Sequence, residues 1–290
     1  MRLKRTKRKF SIPWKIKSLI FSFIEYLNVP KLLCFFQKFV TRRSLSPITS
    51  LDASSNWQVH KDTLKKYQTT NLIFEFGAGK SLVQNLYLSN WVKKQFVVDL
   101  YPMIDFILVD FARENLSKKN KLRSNKRIKN LKDLENFGIY YIAPYNANKI
   151  HLPDKTLDAC VSTNTLEHIP KVNIIKIFSE LYKKIKDDGI VSLLIDYSDH
   201  YAHTDNNISL LNYLRFTNNQ WKRYNHKLHY QNRLRHYEYI NIFEKIGFKV
   251  INEYLVYAEK NIPSIIYDSF KNFSPTWRAT SAHIILKKAT

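Results

Sequence analysis

Glycine, cysteine and acid are all scarce in this chain of 290 residues. There are only five glycines, so a turn that uses two of them stands out as a place where the backbone must go where side chains cannot. The two cysteines, Cys34 and Cys160, exclude a disulfide framework and point to a reducing compartment. Cys160 sits in an apolar run and reads as a small core residue. Acids number 24 against 47 Lys and Arg, a net charge of +23. That balance calls for an anionic partner or surface: nucleic acid, anionic lipid or a phosphorylated substrate. Two stretches carry no acid at all. Residues 1–10 hold six basic residues, and residues 117–130 hold seven in what reads as an exposed loop. Long apolar runs are missing too. The uncharged run before Glu25 covers seven residues, far below the roughly 20 of a membrane-spanning helix. No small-residue cleavage site follows it, so a signal peptide is not expected either.

Hydrophobic residues make up 44% of the chain, ample for one larger domain with additions. Residues 71–99 are the most informative stretch. Asn71 to Phe76 read as a buried strand entering a tight turn with Gly77 and Gly79, and Leu82, Val83, Leu86, Leu88 and Trp91 as a helix. Gln95 to Val98 read as a second strand ending on Asp99. Strand, Gly-x-Gly turn, helix, strand and terminal acid form a nucleoside-binding unit. The glycines admit a ligand close to the backbone, the helix start offers N–H groups, and the acid reaches ribose hydroxyls. A dinucleotide fingerprint would need a third glycine at position 82, which is Leu82.

From Glu75 to Ser81 the chain instead resembles motif I of class I S-adenosylmethionine-dependent methyltransferases (methyltransferase type 11-like), with Ser81 in place of the last glycine. Tyr145 to Pro170, with Leu152-Pro153, Asp158 and Leu166-Glu167-His168-Ile169-Pro170, is similar to a second motif of that family. The resemblance spans roughly residues 70–200. It implies a Rossmann-like α/β fold: a seven-stranded, mostly parallel sheet with helices on both faces and the last strand antiparallel. It also implies S-adenosylmethionine held by Glu75, Gly77, Ala78, Gly79, Asp99, Asn146, Ala147, Thr163 and Asn164. Asn146 stands where the family has an acid facing the adenine amino group, and its amide oxygen keeps the acceptor. The expected strands are 71–76, 95–99, 138–142, 158–163, 190–196, 248–256 and 282–287. Pro170 is expected to open a helix capped after its end by Gly189.

Residues 1–60 read as a basic, amphipathic helical extension and 61–290 as the methyltransferase domain. Ile16, Leu19, Ile20, Phe23, Ile24 and Leu27 fall at helical spacing. A second apolar helix is expected over 32–40 and a Ser-rich linker over 41–60. The first stripe suits either an in-plane contact with an anionic membrane or packing on the domain. Residues 197–235 interrupt the alternation after the fifth strand and read as an acceptor-binding lid, with 257–280 adding to it.

Candidate bases gather there. His200 is the first choice as general base, oriented by Asp199 or Asp196, with His168 nearby. Asp199, His200 and His203 could ligate a metal, but such residues are common in loops and no metal is expected. Glu167, His203, Arg233 and Arg235 are assigned to the acceptor, the two guanidinium groups suiting phosphate or carboxylate. The lid resembles a subgroup found with bacterial surface-polysaccharide genes, which implies a sugar or glycan-precursor acceptor, methylated on a hydroxyl by a cytoplasmic enzyme peripheral to the membrane. The alternatives are a nucleic-acid methyltransferase and a non-catalytic S-adenosylmethionine-binding membrane-associated protein. Against the first, Ser162-Thr163-Asn164-Thr165 lacks the Pro-Pro-aromatic pattern of base-amino methylation, and Cys160 lies too deep in its strand for carbon methylation.

Overall fold

A computed structural model describes residues 11–27, 54–118, 122–258, 262–267, 270 and 274–289. Seven strands form one sheet: β1 (Leu72–Phe76), β2 (Lys94–Val98), β3 (Ile139–Ile142), β4 (Leu157–Thr163), β5 (Ile185–Asp196), β6 (Phe248–Tyr257) and β7 (Ala279–Lys288). Their order is β3-β2-β1-β4-β5-β7-β6. The first five are parallel and β7 runs antiparallel to both its neighbours. The Rossmann-like sheet expected from the sequence is therefore present, and each expected strand lies within a few residues of its place. The chain order reverses between β1 and β4, so the crevice beyond their carboxyl ends is the natural ligand position.

Among the described residues, the helices of six or more residues are α1 (Trp14–Tyr26), α2 (Ser54–Lys66), α3 (Val83–Leu88), α4 (Phe106–Ser117), α5 (Lys171–Lys184) and α6 (His236–Ile246). α5 and α6 cover one face of the sheet through Ile174, Phe178, Leu181, Tyr239 and Phe243. α2, α3 and α4 cover the other through Trp57, Leu64, Leu86 and Leu108. Cys160 is buried in β4, as its apolar setting suggested.

Three local expectations need correction. Residues 54–60 of the expected linker belong to α2, because Trp57, His60 and Leu64 recur at i, i+3 and i+7 and bury on the sheet; the expected boundary at 60/61 falls inside that helix. Residues 28–53, with the expected second apolar helix, lie outside the described residues. Gly189 is not a helix cap. α5 ends at Lys184, and β5 begins at the next residue, Ile185, with a register shift in its pairing to β4. A Cβ at Gly189 would lie 2.7 Å from Ile185 Cγ1 and 2.9 Å from the Asp158 carbonyl oxygen, so this glycine serves close strand packing. The α3 helix has six residues, all buried, and the ligand edge is formed by the turn before it.

α1 is helical as expected, yet it buries a different face. Trp14, Ser18 and Phe21 pack inward. Trp14 and Phe21 join Tyr201, Leu211, Tyr213, Leu214, Trp221, Ile266 and Phe270 in a third cluster that is the lid's own core. Residues 266 and 270 confirm that the segment after β6 contributes. Polar contacts seat the helix: Trp14 N donates to Asp205 Oδ2 at 2.9 Å, Leu228 N donates to Glu25 Oε1 at 2.9 Å, and Ser18 Oγ lies 2.8 Å from His226 Nε2. The periodic stripe points outward, with Leu19 70% and Phe23 62% exposed. No helix among the described residues is long and apolar enough to cross a membrane.

Candidate active site

The Gly-x-Gly turn and Asp99 meet at the carboxyl ends of β1 and β2. Tyr141 donates its hydroxyl hydrogen to Asp99 Oδ2 at 2.9 Å. Burial raises the Asp99 carboxyl to about 6, against the lowering pull of Tyr141 and of the Gly79 and Ala78 amides. Gly77 and Gly79 both have positive φ, but for different reasons. A Cβ at Gly77 would lie 2.2 Å from Thr165 Cγ2, whereas one at Gly79 would meet nothing within 4 Å. Gly77 is demanded by packing; Gly79 borders open space. Open space at a positive-φ turn beside an acid fits a nucleoside, and S-adenosylmethionine would be held here.

The two glycines should therefore fail differently. Gly77→Ala is expected to destabilise the fold by about 2–4 kcal/mol through strain and clash. Gly79→Ala should cost only about 1–2 kcal/mol of backbone strain while weakening cofactor binding. Thermal unfolding beside cofactor calorimetry on each variant would separate them. Equal effects on stability would remove the distinction.

Glu75 is buried behind the turn. Gln84 Nε2 donates to its Oε1 at 2.9 Å and Asn85 Nδ2 to its Oε2 at 2.7 Å, and burial lifts it to about 7. It organises α3 against β1. Asn146 is exposed and its Oδ1 accepts from Asn148 N at 3.0 Å, leaving one lone pair for a ligand. Ala147 is buried beside it.

From Glu75 a buried chain of polar groups crosses the sheet, unforeseen in the sequence. Thr163 Oγ1 donates to Gln84 Oε1 at 2.8 Å and lies 2.9 Å from His60 Nε2. His60 Nδ1 lies 2.8 Å from Ser192 Oγ, which lies 3.0 Å from His283 Nε2. Since Thr163 gives its hydrogen to Gln84, His60 Nε2 must carry one. That fits an imidazole which burial, with His283 beside it, holds neutral down to about 3. The available signal was a polar residue at a core position of two apolar strands, Ser192 and His283.

The chain ends at a cavity of about 300 Å³ between α2 and the β4–β5–β7–β6 edge, lined by Val59, Asn164, Asp196, Tyr254, Ser281 and His283 among others. Asn164 has φ +50 at the end of β4. Next to the cavity, His200 Nε2 and His203 Nε2 each lie 3.5 Å from Asp196 Oδ2. Burial raises Asp196, but the charges of His200 and His203 and the hydrogen bond from Ser198 prevail and hold it at about 2. His168 and His200 ring centroids are 4.9 Å apart. His168 Nδ1 lies 2.8 Å from the Tyr230 carbonyl oxygen, and burial followed by the His200 charge lowers its pKa. His200, Asp196, His168 and His203 are thus brought together as the sequence suggested. His229, which it missed, stacks against Phe21 and lies 3.2 Å from Lys17 Nζ. Glu167 is in the same cluster, buried rather than lining an open face.

Three assignments are overturned. Asp199 does not orient His200. It is fully buried and caps the turn that follows, accepting from Tyr201 N at 2.8 Å and Asn212 Nδ2 at 3.0 Å. Arg233 and Arg235 do not face an acceptor. Arg233 donates to the carbonyls of Tyr213 and Phe216 and to Asn218. Arg235 is completely buried and donates to the carbonyls of Tyr197, Trp277 and Ala279 and to the Tyr213 hydroxyl. Both guanidinium groups lock the lid to itself and to β7. The lid needs such clamps because irregular backbone buried in it leaves carbonyls without ladder partners.

Residues 75–193 match the methyltransferase domain family. No curated protein matches. Solved structures with a similar fold include an S-adenosylmethionine-dependent methyltransferase from Clostridium acetobutylicum, at 10% identity and TM-score 0.47 over 90% of this chain and 98% of that one. Another is a SAM-dependent methyltransferase from Aquifex aeolicus, at 14% identity and TM-score 0.40 over 78% and 88%. These are likenesses of the fold alone. The family match, on the residues that carry the glycine turn and both motifs, makes 75–193 a methyltransferase domain and the chain an enzyme of the S-adenosylmethionine-dependent methyltransferases.

Proposed function

We propose that this enzyme transfers the S-adenosylmethionine methyl group to a hydroxyl of a sugar or glycan precursor. The observation that supports this is the imidazole and carboxylate cluster around His200, set beside a cavity near the small end of ligand pockets, about 300–1,000 Å³. A space of that size suits one sugar ring. Asn164, Asp196, Ser281 and His283 give it hydroxyl-binding groups, and Tyr254 gives it an apolar face.

In the reaction, an acceptor oxygen lone pair attacks the methyl carbon as the sulfur–carbon bond breaks and its electron pair returns to sulfur. The sulfonium becomes a neutral thioether and the hydroxyl proton must leave. Alignment and water exclusion carry most of such a displacement. The proton is the part that needs side chains, and the simplest use of the cluster is His200 as base oriented by Asp196. The turn from Gly77 to Gly79 and Asp99 would hold the cofactor's nucleoside, with Asn146 and Ala147 at its base. A mass-shift assay over sugar nucleotides, lipid-linked glycans and RNA tests the acceptor. Methylation of RNA alone would overturn the reading.

Asp99 gives a pH test. Its carboxyl near about 6 is charged above that pH and neutral below it. Cofactor affinity should therefore strengthen about tenfold between pH 5 and 7, and Asp99→Asn should flatten the profile. At pH 7.5, Asp99→Ala should weaken binding by about 1.5–3 kcal/mol. Calorimetry giving unchanged affinity in a folded Asp99→Ala would take this residue out of the site.

The outward stripe of α1 follows ten residues with six basic ones. This reading puts the enzyme on an anionic cytoplasmic membrane face, each basic residue contributing about 1 kcal/mol near the leaflet. Co-sedimentation with anionic vesicles at low salt, released by high salt and lost in Leu19→Asp/Phe23→Asp, is the expected result. Full-length protein left in the supernatant would refute it.

A further inference from the structure

Glu167 is 2% exposed, yet neither of its carboxylate oxygens has a hydrogen-bond partner, and the same holds for His200 Nε2 beside it. A buried carboxylate without donors is costly. The Glu167, His168 and His200 ligand atoms lie within 4.8 Å of one another, and so do those of Asp196, His200 and His203. His200 belongs to both groups.

The separations suit a shared cation better than direct bonds. His200 Nε2 and Asp196 Oδ2 are 3.5 Å apart, long for a charge-assisted hydrogen bond. Two donors at about 2.0–2.2 Å from one tetrahedral ion stand about 3.3–3.6 Å apart. The tautomers agree. The Tyr230 carbonyl can only accept, so His168 Nδ1 carries the hydrogen and Nε2 keeps its lone pair. A ring nitrogen fixed by a backbone carbonyl is the usual outer support of a metal-binding histidine. His203 plays a supporting part instead. Ser198 Oγ donates to Asp196 Oδ1 at 2.6 Å and lies 2.8 Å from His203 Nε2, so His203 donates to Ser198 and steadies Asp196 through it.

We propose that Glu167, His168, Asp196 and His200 bind one divalent first-row transition cation, of the kind that takes mixed imidazole and carboxylate ligands, with a coordination position left open toward the cavity. Imidazole with carboxylate suits Zn²⁺, Mn²⁺, Fe²⁺ or Co²⁺ rather than the soft or all-oxygen ions. Resting on the hydroxyl-acceptor reading, the cation would hold the acceptor oxygen and lower its pKa, as metals do for bound water. The proton then leaves to solvent before methyl transfer, and His200 acts as a ligand rather than as the base.

The test uses the full chain, stripped with chelator and titrated separately with Zn²⁺, Mn²⁺ and Co²⁺, by calorimetry and, for Co²⁺, by visible absorption. One equivalent should bind with a Kd below about 10 µM. Glu167→Gln and His200→Asn should each weaken it by about 100-fold or more, as loss of a ligand exceeds the roughly 10–100-fold of an outer partner. Their cofactor affinity should stay unchanged, and the exposed His151→Asn should bind as the parent does. If one variant fails to fold, His168→Gln carries the same requirement. Uptake below a tenth of an equivalent, or undiminished binding by the folded variants, overturns the proposal. Metal uptake without any methylated sugar would instead count against the acceptor reading alone. Full turnover of a sugar in chelator would separate the cation from the reaction.

Discussion

His200→Ala should lower kcat by about 10²–10⁴-fold, the usual weight of a group that removes a proton in the transition state, while leaving cofactor affinity unchanged. The reason is position. His200 lies 3.5 Å from Asp196 and between His168 and His203 at the carboxyl edge of β4 and β5. The residues proposed for the cofactor lie at β1 and β2. The measurement is steady-state turnover beside calorimetric cofactor binding. A loss under tenfold would mean that the acceptor arrives needing no help with its proton, as a carboxylate would. If the loss is large, a chelator control tells the two uses of the imidazole apart, because a pure base is indifferent to chelator and a ligand is not.

Arg235→Ala should be the most damaging single change to stability, about 3–5 kcal/mol. It strands the Trp277 and Ala279 carbonyls and takes one donor each from the Tyr197 carbonyl and the Tyr213 hydroxyl, which keep only their bond to one another; a group left unpaired costs about 1–3 kcal/mol, partly recovered by relaxation or water. The guanidinium also sits over the Tyr197 ring, 5.4 Å from its centroid, and this contact is lost as well. Arg235→Lys should recover only part of the stability. An ammonium has three donors on a point charge and cannot reproduce the planar fork. Chemical denaturation measures both. If Arg235→Ala unfolds within 1 kcal/mol of the parent and instead raises the acceptor KM, the clamp assignment is wrong and the sequence expectation of an acceptor contact is restored.

The difference between these two arginine readings marks where sequence reasoning stops. In the chain, Arg233 and Arg235 are two cations in a polar insertion, and cations in an insertion over a sheet edge suggest a bound anion. In the fold, their partners are carbonyls from Tyr197, Tyr213, Phe216, Trp277 and Ala279. Those groups are up to 44 positions away, and no local pattern pairs them. Asp199 and Asp196 show the same limit on a smaller scale. Both lie within four residues of His200. Which carboxylate faces the ring depends on the irregular turn after β5, where Asp199 is taken up as a cap. α1 is the third case. Its periodicity was visible, but two faces of that helix are apolar, and only the lid's aromatic core selects the Trp14 and Phe21 face for burial.

The sequence by itself determined the sheet, its seven strands, the glycine turn with Asp99 at its mouth and the methyltransferase motifs. These rest on short-range rules: strand periodicity, positive φ at glycine, and the fixed spacing from turn to acid within one β-α-β unit. Tertiary structure alone decided the polar chain from Glu75 to His283, the arginine clamps of the lid and the burial of Glu167 beside His168 and His200. Each joins residues from separate strands and loops. Their hydrogen bonds, burial and shared charge exist only once the sheet edge and the lid have closed on one another.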